Sequence, residues 1–207
     1  SCAFRFLGKS LHKISHTNLA NWHILELITI LSIVTVPLMI KKHQSSTNFV
    51  NISMTAGIFV YCGGLMSHSI ALRNIDHGAE WLYLVFAVTF INDTAALVFG
   101  KVLGSRPLIP TVSPNKTWEG ALAGLGFSLI GCIAAFNFLD IPHDTWDPYI
   151  LGIVIAVTGQ AGDLLISRLK RLAQVKDSGW VIPGHGGVLD RIDSIVPNLV
   201  VVYYFAL

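Results

Sequence analysis

Charge is scarce in this sequence: 13% of its 207 residues are Asp, Glu, Lys or Arg, against 53% hydrophobic. Soluble domains carry about 25% charged residues, so the shortage excludes an ordinary water-soluble fold and points to a polytopic membrane protein. Net charge is also small, +2 with His neutral, which excludes a nucleic-acid-binding surface built on a broad basic field. The three cysteines, Cys2, Cys62 and Cys132, are far apart and form no Cys-x-x-Cys pair, so they read as small hydrophobes rather than metal ligands. Walker-type phosphate loops and HExxH are missing as well, which argues against P-loop nucleoside triphosphatases and zinc hydrolases. Gly/Ser-rich linkers, internal repeats and a cleavable signal peptide are all lacking, which leaves one membrane domain. The sequence begins without Met and stops at Leu207 within an apolar run, so a fragment of a longer membrane protein is expected.

What the chain does have is apolar runs of the length, about 20 residues, that a helix needs to cross roughly 30 Å of hydrocarbon. Runs at about 24–40, 50–70, 80–100, 119–139 and 148–167, with a last one from about 194, predict an all-α polytopic fold of about six transmembrane helices. Residues 1–23 mix Phe4, Phe6, Leu7 and Leu11 with Arg5, Lys9, Lys13 and His16, as in an interfacial helix or a partial span. Residues 24–207 are then a single membrane-embedded domain.

The few basic residues are grouped. Lys101, Arg106 and Lys116 occupy the loop 101–118, and Arg168, Lys170, Arg171, Lys176 and Arg191 the loop 168–193. Between them, 140–147 has Asp140, Asp144 and Asp147 and no Lys or Arg. The positive-inside rule therefore puts both basic loops in the cytoplasm. Alternation agrees for Lys41 and Lys42 and disagrees for residues 5–13. Small residues are grouped too: Gly57, Gly63 and Gly64 in the second run, and Gly120, Ala121, Ala123, Gly124 and Gly131 in the fourth. They predict close helix approach, because lipid provides no hydrophobic drive for helix association.

Two carboxylates lie inside the runs on the cytoplasmic side. Asp93, in Asn92-Asp93-Thr94, is expected about 10 Å from the end of its span, and Asp163 about 6 Å, at 1.5 Å per residue. An intramembrane carboxylate costs a few kcal/mol and normally faces a partner, a cavity or an ion. Asp163 and Ser167 are four residues apart, on one helix face, with Lys170 and Arg171 a turn further on. An acid and a hydroxyl stacked this way suit a hard cation, and the bases beyond them suit phosphate oxygens.

After a glycine-rich stretch containing Gly184, Gly186 and Gly187, Asp190 and Asp193 return carboxylates to the same membrane face. His185 among those glycines is open to three roles: proton carrier, phosphate donor or metal ligand. With no second His at ligand spacing, a hydrogen bond to phosphate is favoured over zinc. On the other loop, Ser113-Pro114-Asn115-Lys116-Thr117-Trp118-Glu119-Gly120 ends at the start of an apolar helix. Thr117 and Glu119 sit there where capping and the positive helix end favour a polar or anionic neighbour.

The run Ser167-x-x-Lys170-Arg171-x4-Lys176-Asp177-x-Gly179-x2-Ile182-Pro183-x-His185-Gly186-Gly187-x-Leu189-Asp190-Arg191-Ile192-Asp193 resembles, position for position, the signature of phosphatidate cytidylyltransferases, also called CDP-diacylglycerol synthases. Asn92-Asp93-Thr94-Ala95-Ala96, Gly100-Lys101 and the Ser113–Gly120 block look like that family's upstream elements, so the resemblance covers about 60–200. Leu97 stands where an aromatic is common and Lys101 where Arg is usual, and the family usually has further N-terminal helices.

The resemblance implies a nucleotidyltransferase of phospholipid biosynthesis: CTP and phosphatidic acid give CDP-diacylglycerol and pyrophosphate, with magnesium and potassium as a second cation. It implies a metal site on Asp163 and Asp190, with Asp193 in support and Asp93 holding the opposite loop or a second cation. Catalytic roles would fall to Asp163, Asp190, Lys170, Lys176, Arg191 and His185. Ser113, Lys116, Thr117, Ser167, Arg171, Gly186 and Gly187 would contact the nucleotide and lipid phosphates. A bacterial inner membrane, a cytoplasm-facing site and a homodimer are further expectations. The competing classes are a CTP-dependent lipid kinase and an ion-coupled transporter, the second of which would not need the phosphate-type loop.

Overall fold

The computed structural model describes residues 61, 63–172 and 192–207. They fall into two units, divided between His68 and Ser69. In the first, residues 63–68 are helical. The second, Ser69–Ala206, contains the elements that matter for the site.

Its first long helix, α1 (Gly78–Val102), follows a turn in which His77 takes the left-handed conformation at φ 54°. The hairpin β1 (Pro107–Ile109) and β2 (Ser113–Thr117) comes next, then α2 (Trp118–Phe138), α3 (Asp147–Leu172) and α4 (Ile195–Ala206). Three of these, α1, α2 and α3, are long and apolar enough to cross a membrane, close to the expected runs at 80–100, 119–139 and 148–167. The described helix α4 has 12 residues, fewer than the roughly 20 a span needs. The runs at 24–40 and most of 50–70, and the interfacial segment 1–23, lie outside the described residues.

Apolar side chains are buried on one side of these helices and exposed on the other. Leu84, Val85 and Val88 of α1, Leu151 and Ile155 of α3, and Leu199 and Val202 of α4 are buried, whereas Tyr83, Phe90, Leu122, Ile130 and Val157 are exposed. Trp81 closes one end of the bundle with its ring edge-on to Phe136 (5.7 Å) and tilted against Phe205 (6.3 Å). Cys132 is buried and free, as its apolar surroundings predict.

Glycines set the spacing of α1 and α2. A Cβ on Gly120 would lie 2.5 Å from the Ala96 carbonyl oxygen, and one on Gly124 would lie 2.7 Å from Asn92 Oδ1. The expected small-residue packing therefore holds at both positions. At Gly63 a Cβ would meet no described atom within 4 Å, and Gly57 lies outside the described residues.

The expectation of an all-α chain needs one correction among the described residues. The segment 107–117 pairs as an antiparallel hairpin, Pro107 opposite Thr117 and Ile109 opposite Ser113. It connects the ends of two spanning helices, beyond the apolar runs, so its backbone is not confined to a helix by hydrocarbon. α3 also continues past the expected end at 167 to Leu172. Its last turn carries Lys170 and Arg171, whose charges suit the negative helix end.

Candidate active site

The hairpin is fastened at both of its ends. Thr117 caps α2, its Oγ1 accepting from Gly120 N at 3.2 Å. Glu119, in the first turn of α2, accepts from Ser105 Oγ (2.6 Å) and from Arg106 N (3.3 Å). From α3, Arg171 Nε donates to the Val112 carbonyl at 3.3 Å, on the buried turn residue of the hairpin. These contacts bring the hairpin and the basic last turn of α3 to the same end of the bundle.

Across that junction Lys116 Nζ forms an ion pair with Asp163 Oδ2. The other carboxylate oxygen, Oδ1, accepts from Ser167 Oγ at 3.2 Å, which realises the expected i, i+4 stack. Both partners of the ion pair are partly open, Lys116 29% and Asp163 31% exposed. Ser113 opens β2 opposite Ile109, and the pairing between it and Thr117 is irregular.

A second contact holds α4 in place. Asp93 Oδ2 accepts from Ser194 Oγ at 2.7 Å, and Oδ1 from the Asn92 amide at 3.0 Å. One turn deeper, Asn198 Nδ2 donates to Thr89 Oγ1 at 2.9 Å, while Thr158 Oγ1 donates to Asn198 Oδ1. Gln160 Nε2 reaches both Asn92 Oδ1 and the Ala121 carbonyl at 3.1 Å. Thr89, Asn92 and Asn198 are fully buried, where an unpaired polar group would cost about 1–3 kcal/mol. This net of amides and hydroxyls joins all four helices.

The backbone of Asp193 sits against α3, close enough that a Cβ on Gly162 would lie 2.5 Å from its carbonyl oxygen. Its carboxylate accepts from Ser194 N at 2.9 Å and is buried. Burial, and then the charge of Asp163, push the Asp193 carboxyl up to about 7, with Lys170 and Lys116 among the groups opposing the rise. Ser194 links Asp93 to the residue after Asp193, and Gly162 brings Asp193 beside the residue before Asp163, so three carboxylates share one region.

Of the residues expected in the site, the described part unites Asp93, Asp163, Asp193, Lys116 and Ser167, with Lys170 acting on Asp193 through its charge. Thr117 serves the helix cap, and Arg171 anchors the hairpin. Lys176, His185, Gly186, Gly187, Asp190 and Arg191 lie outside the described residues. Sequence reasoning missed Thr89, Thr158, Gln160, Ser194 and Asn198. The available signal was polar residues recurring inside apolar runs, Thr89 and Asp93 four apart on one and Ser194 and Asn198 four apart on another.

Carboxylate and hydroxyl oxygens are the donors a hard divalent cation takes, and Lys116 already balances charge at Asp163. No three His, Cys, Asp or Glu side chains gather on one point among the described residues. The described donors therefore fit part of a cation's coordination shell.

The sequence pattern of the cytidylyltransferase family matches residues 6–207. A phosphatidate cytidylyltransferase of Staphylococcus haemolyticus is 43% identical over 119 residues, 58% of this chain and 46% of the relative. The protein of the same name from Staphylococcus aureus strain COL is 42% identical over 121 residues, and that of Staphylococcus saprophyticus 43% over 121, with the same coverage of 58% and 46%. The chain spans about half the length of these curated relatives.

Proposed function

The chain belongs to the cytidylyltransferase family, and from that premise we propose that the protein transfers CMP from CTP to phosphatidic acid, giving CDP-diacylglycerol and pyrophosphate. The observation that carries the reading is the ion pair between Lys116 and Asp163, which closes a basic hairpin over intramembrane carboxylates at one end of an apolar bundle. A lipid phosphate and a nucleotide triphosphate could meet at such a place. The staphylococcal relatives carry the name of this activity.

In the proposed reaction a phosphate oxygen of phosphatidic acid attacks the α-phosphorus of CTP. The bond from that phosphorus to the bridging oxygen breaks, and pyrophosphate leaves with the electron pair. The lipid phosphate is already an anionic nucleophile, so the protein mainly positions groups and offsets charge. Lys116 on the hairpin and Lys170 and Arg171 at the end of α3 would receive phosphate oxygens from two sides, Arg171 with the part of its guanidinium that Val112 does not use. Lys176 and Arg191 would complete the basic set, with His185, Gly186 and Gly187 donating to phosphate.

Asp163 and Asp190 would hold a divalent cation, magnesium, with Asp93 and Asp193 nearby, and its charge would offset that of the phosphates. Potassium is the second cation in this reading. The hydrogen bonds of half-buried Asp93 to Asn92 and Ser194 would keep the cytoplasmic end of α1 in register with α4. The bacterial relatives favour a bacterial membrane, and the positive-inside rule turns both basic loops to the cytoplasm.

The test uses membranes containing the full protein, phosphatidic acid, magnesium and CTP labelled at either the α- or the γ-phosphate. Nucleotidyl transfer puts the α-label into the lipid phase and leaves the γ-label in pyrophosphate. A γ-label in the lipid would instead identify a CTP-dependent lipid kinase, and no label in the lipid would remove both.

A further inference from the structure

We infer that Lys116 and a divalent cation compete for the same oxygen of Asp163, so that the cation enters as Lys116 leaves for the nucleotide. This rests on the cytidylyltransfer reading and adds an order of events to it. Both oxygens of Asp163 are engaged, Oδ2 by Lys116 and Oδ1 by Ser167. The two partners differ in what they can do beside a cation. The Ser167 hydroxyl has lone pairs and can turn to join the cation's shell. The Lys116 ammonium has three donors and no acceptor, and two like charges a few ångströms apart repel. Of the two, Lys116 must go.

The geometry lets it go cheaply. The lysine head is partly exposed and sits on a flexible four-carbon stem. The hairpin does not depend on it, because Arg171 holds Val112 and Glu119 holds Ser105 and Arg106. Release of the ion pair therefore frees one charge while the strand stays in place. A triphosphate beside the hairpin offers the ammonium a new anionic partner. Cation and nucleotide would then favour each other's binding, with Lys116 as the exchanged charge.

Manganese, as a paramagnetic probe of the magnesium site, tests this without any turnover. Its binding to the full protein in detergent, free of nucleotide and lipid, is followed by electron paramagnetic resonance for the wild type, Lys116→Met, Lys116→Gln and Asp163→Asn. Two neutral replacements of Lys116 are used so that a misfolded variant does not decide the outcome, and thermal unfolding checks each. The expected result is about tenfold tighter manganese binding in both Lys116 variants, equal to ~1.4 kcal/mol, and loss of the high-affinity signal in Asp163→Asn. Equal affinity in the wild type and both Lys116 variants overturns the competition and leaves the cation site standing. Absence of manganese binding in every protein overturns the competition together with the cation site of the proposed reaction.

Discussion

Lys116 of the hairpin and Asp163 of α3, 47 residues apart in sequence, form an ion pair between the first basic loop and a spanning helix. It gives the intramembrane carboxylate a counter-charge and gives the hairpin a side chain directed into the bundle end. The consequences for Asp163 and for the scaffold around it can be measured separately.

Asp163→Ala should leave less than a tenth of wild-type turnover, a loss above ~1.4 kcal/mol in transition-state stabilisation. The protein should remain monodisperse in detergent, because Asp163 lies at the bundle end rather than in its apolar core. The lipid-labelling rate and size-exclusion profile check this. Activity above a tenth would remove Asp163 from the centre of the reaction.

Thr117→Ala removes the oxygen that accepts from Gly120 N. Loss of such a cap costs about 1 kcal/mol. Thermal unfolding in detergent should show a small drop, and Thr117→Ser should restore it. An unchanged midpoint in Thr117→Ala would mean that water replaces the cap at no cost.

Asn198→Leu takes the donor away from the buried Thr89 hydroxyl, whereas Thr158 keeps the Val154 carbonyl as its acceptor. A buried donor or acceptor left unpaired costs about 1–3 kcal/mol. The double variant with Thr89→Val should be less destabilised than the sum of the two single changes, since both remove the same hydrogen bond. Additive losses across the cycle would count against that bond.

Gly120→Val forces side-chain atoms into the backbone of α1 at Ala96 and Gly100. Overpacking of this kind costs about 1–3 kcal/mol. Lower unfolding temperature and reduced yield of folded protein are expected, whereas Gly126→Ala, where a Cβ meets nothing within 4 Å, should behave as wild type. Equal behaviour of the two variants would contradict the close approach of α1 and α2.

The spanning helices were legible because apolar composition over about 20 residues is a strong and local signal. Asp163 with Ser167 was legible for a similar reason, since spacing of four on one helix fixes a shared face. The hairpin was not. Its strands have three and five residues, and Pro107, Pro110 and Pro114 obscure any alternation. The pairing of Thr89 with Asn198 and of Asp93 with Ser194 was hidden too, because it depends on how two distant helices pack. Lys116 was expected to face the nucleotide, and its partner Asp163 was not legible, since no local pattern joins a strand to a helix 47 residues later.

The contacts of Asp93 with Ser194 and of Thr89 with Asn198 are two rungs, each four residues from the next on both antiparallel segments. Sliding α4 along α1 by one residue breaks both. The smallest slide that restores a rung is four residues, about 6 Å at 1.5 Å per residue, after which Asn198 would face Asp93 or Ser194 would face Thr89. The start of α4 is therefore indexed in steps like a ratchet, and the carboxylate of Asp193 inherits that step instead of drifting by fractions of an ångström.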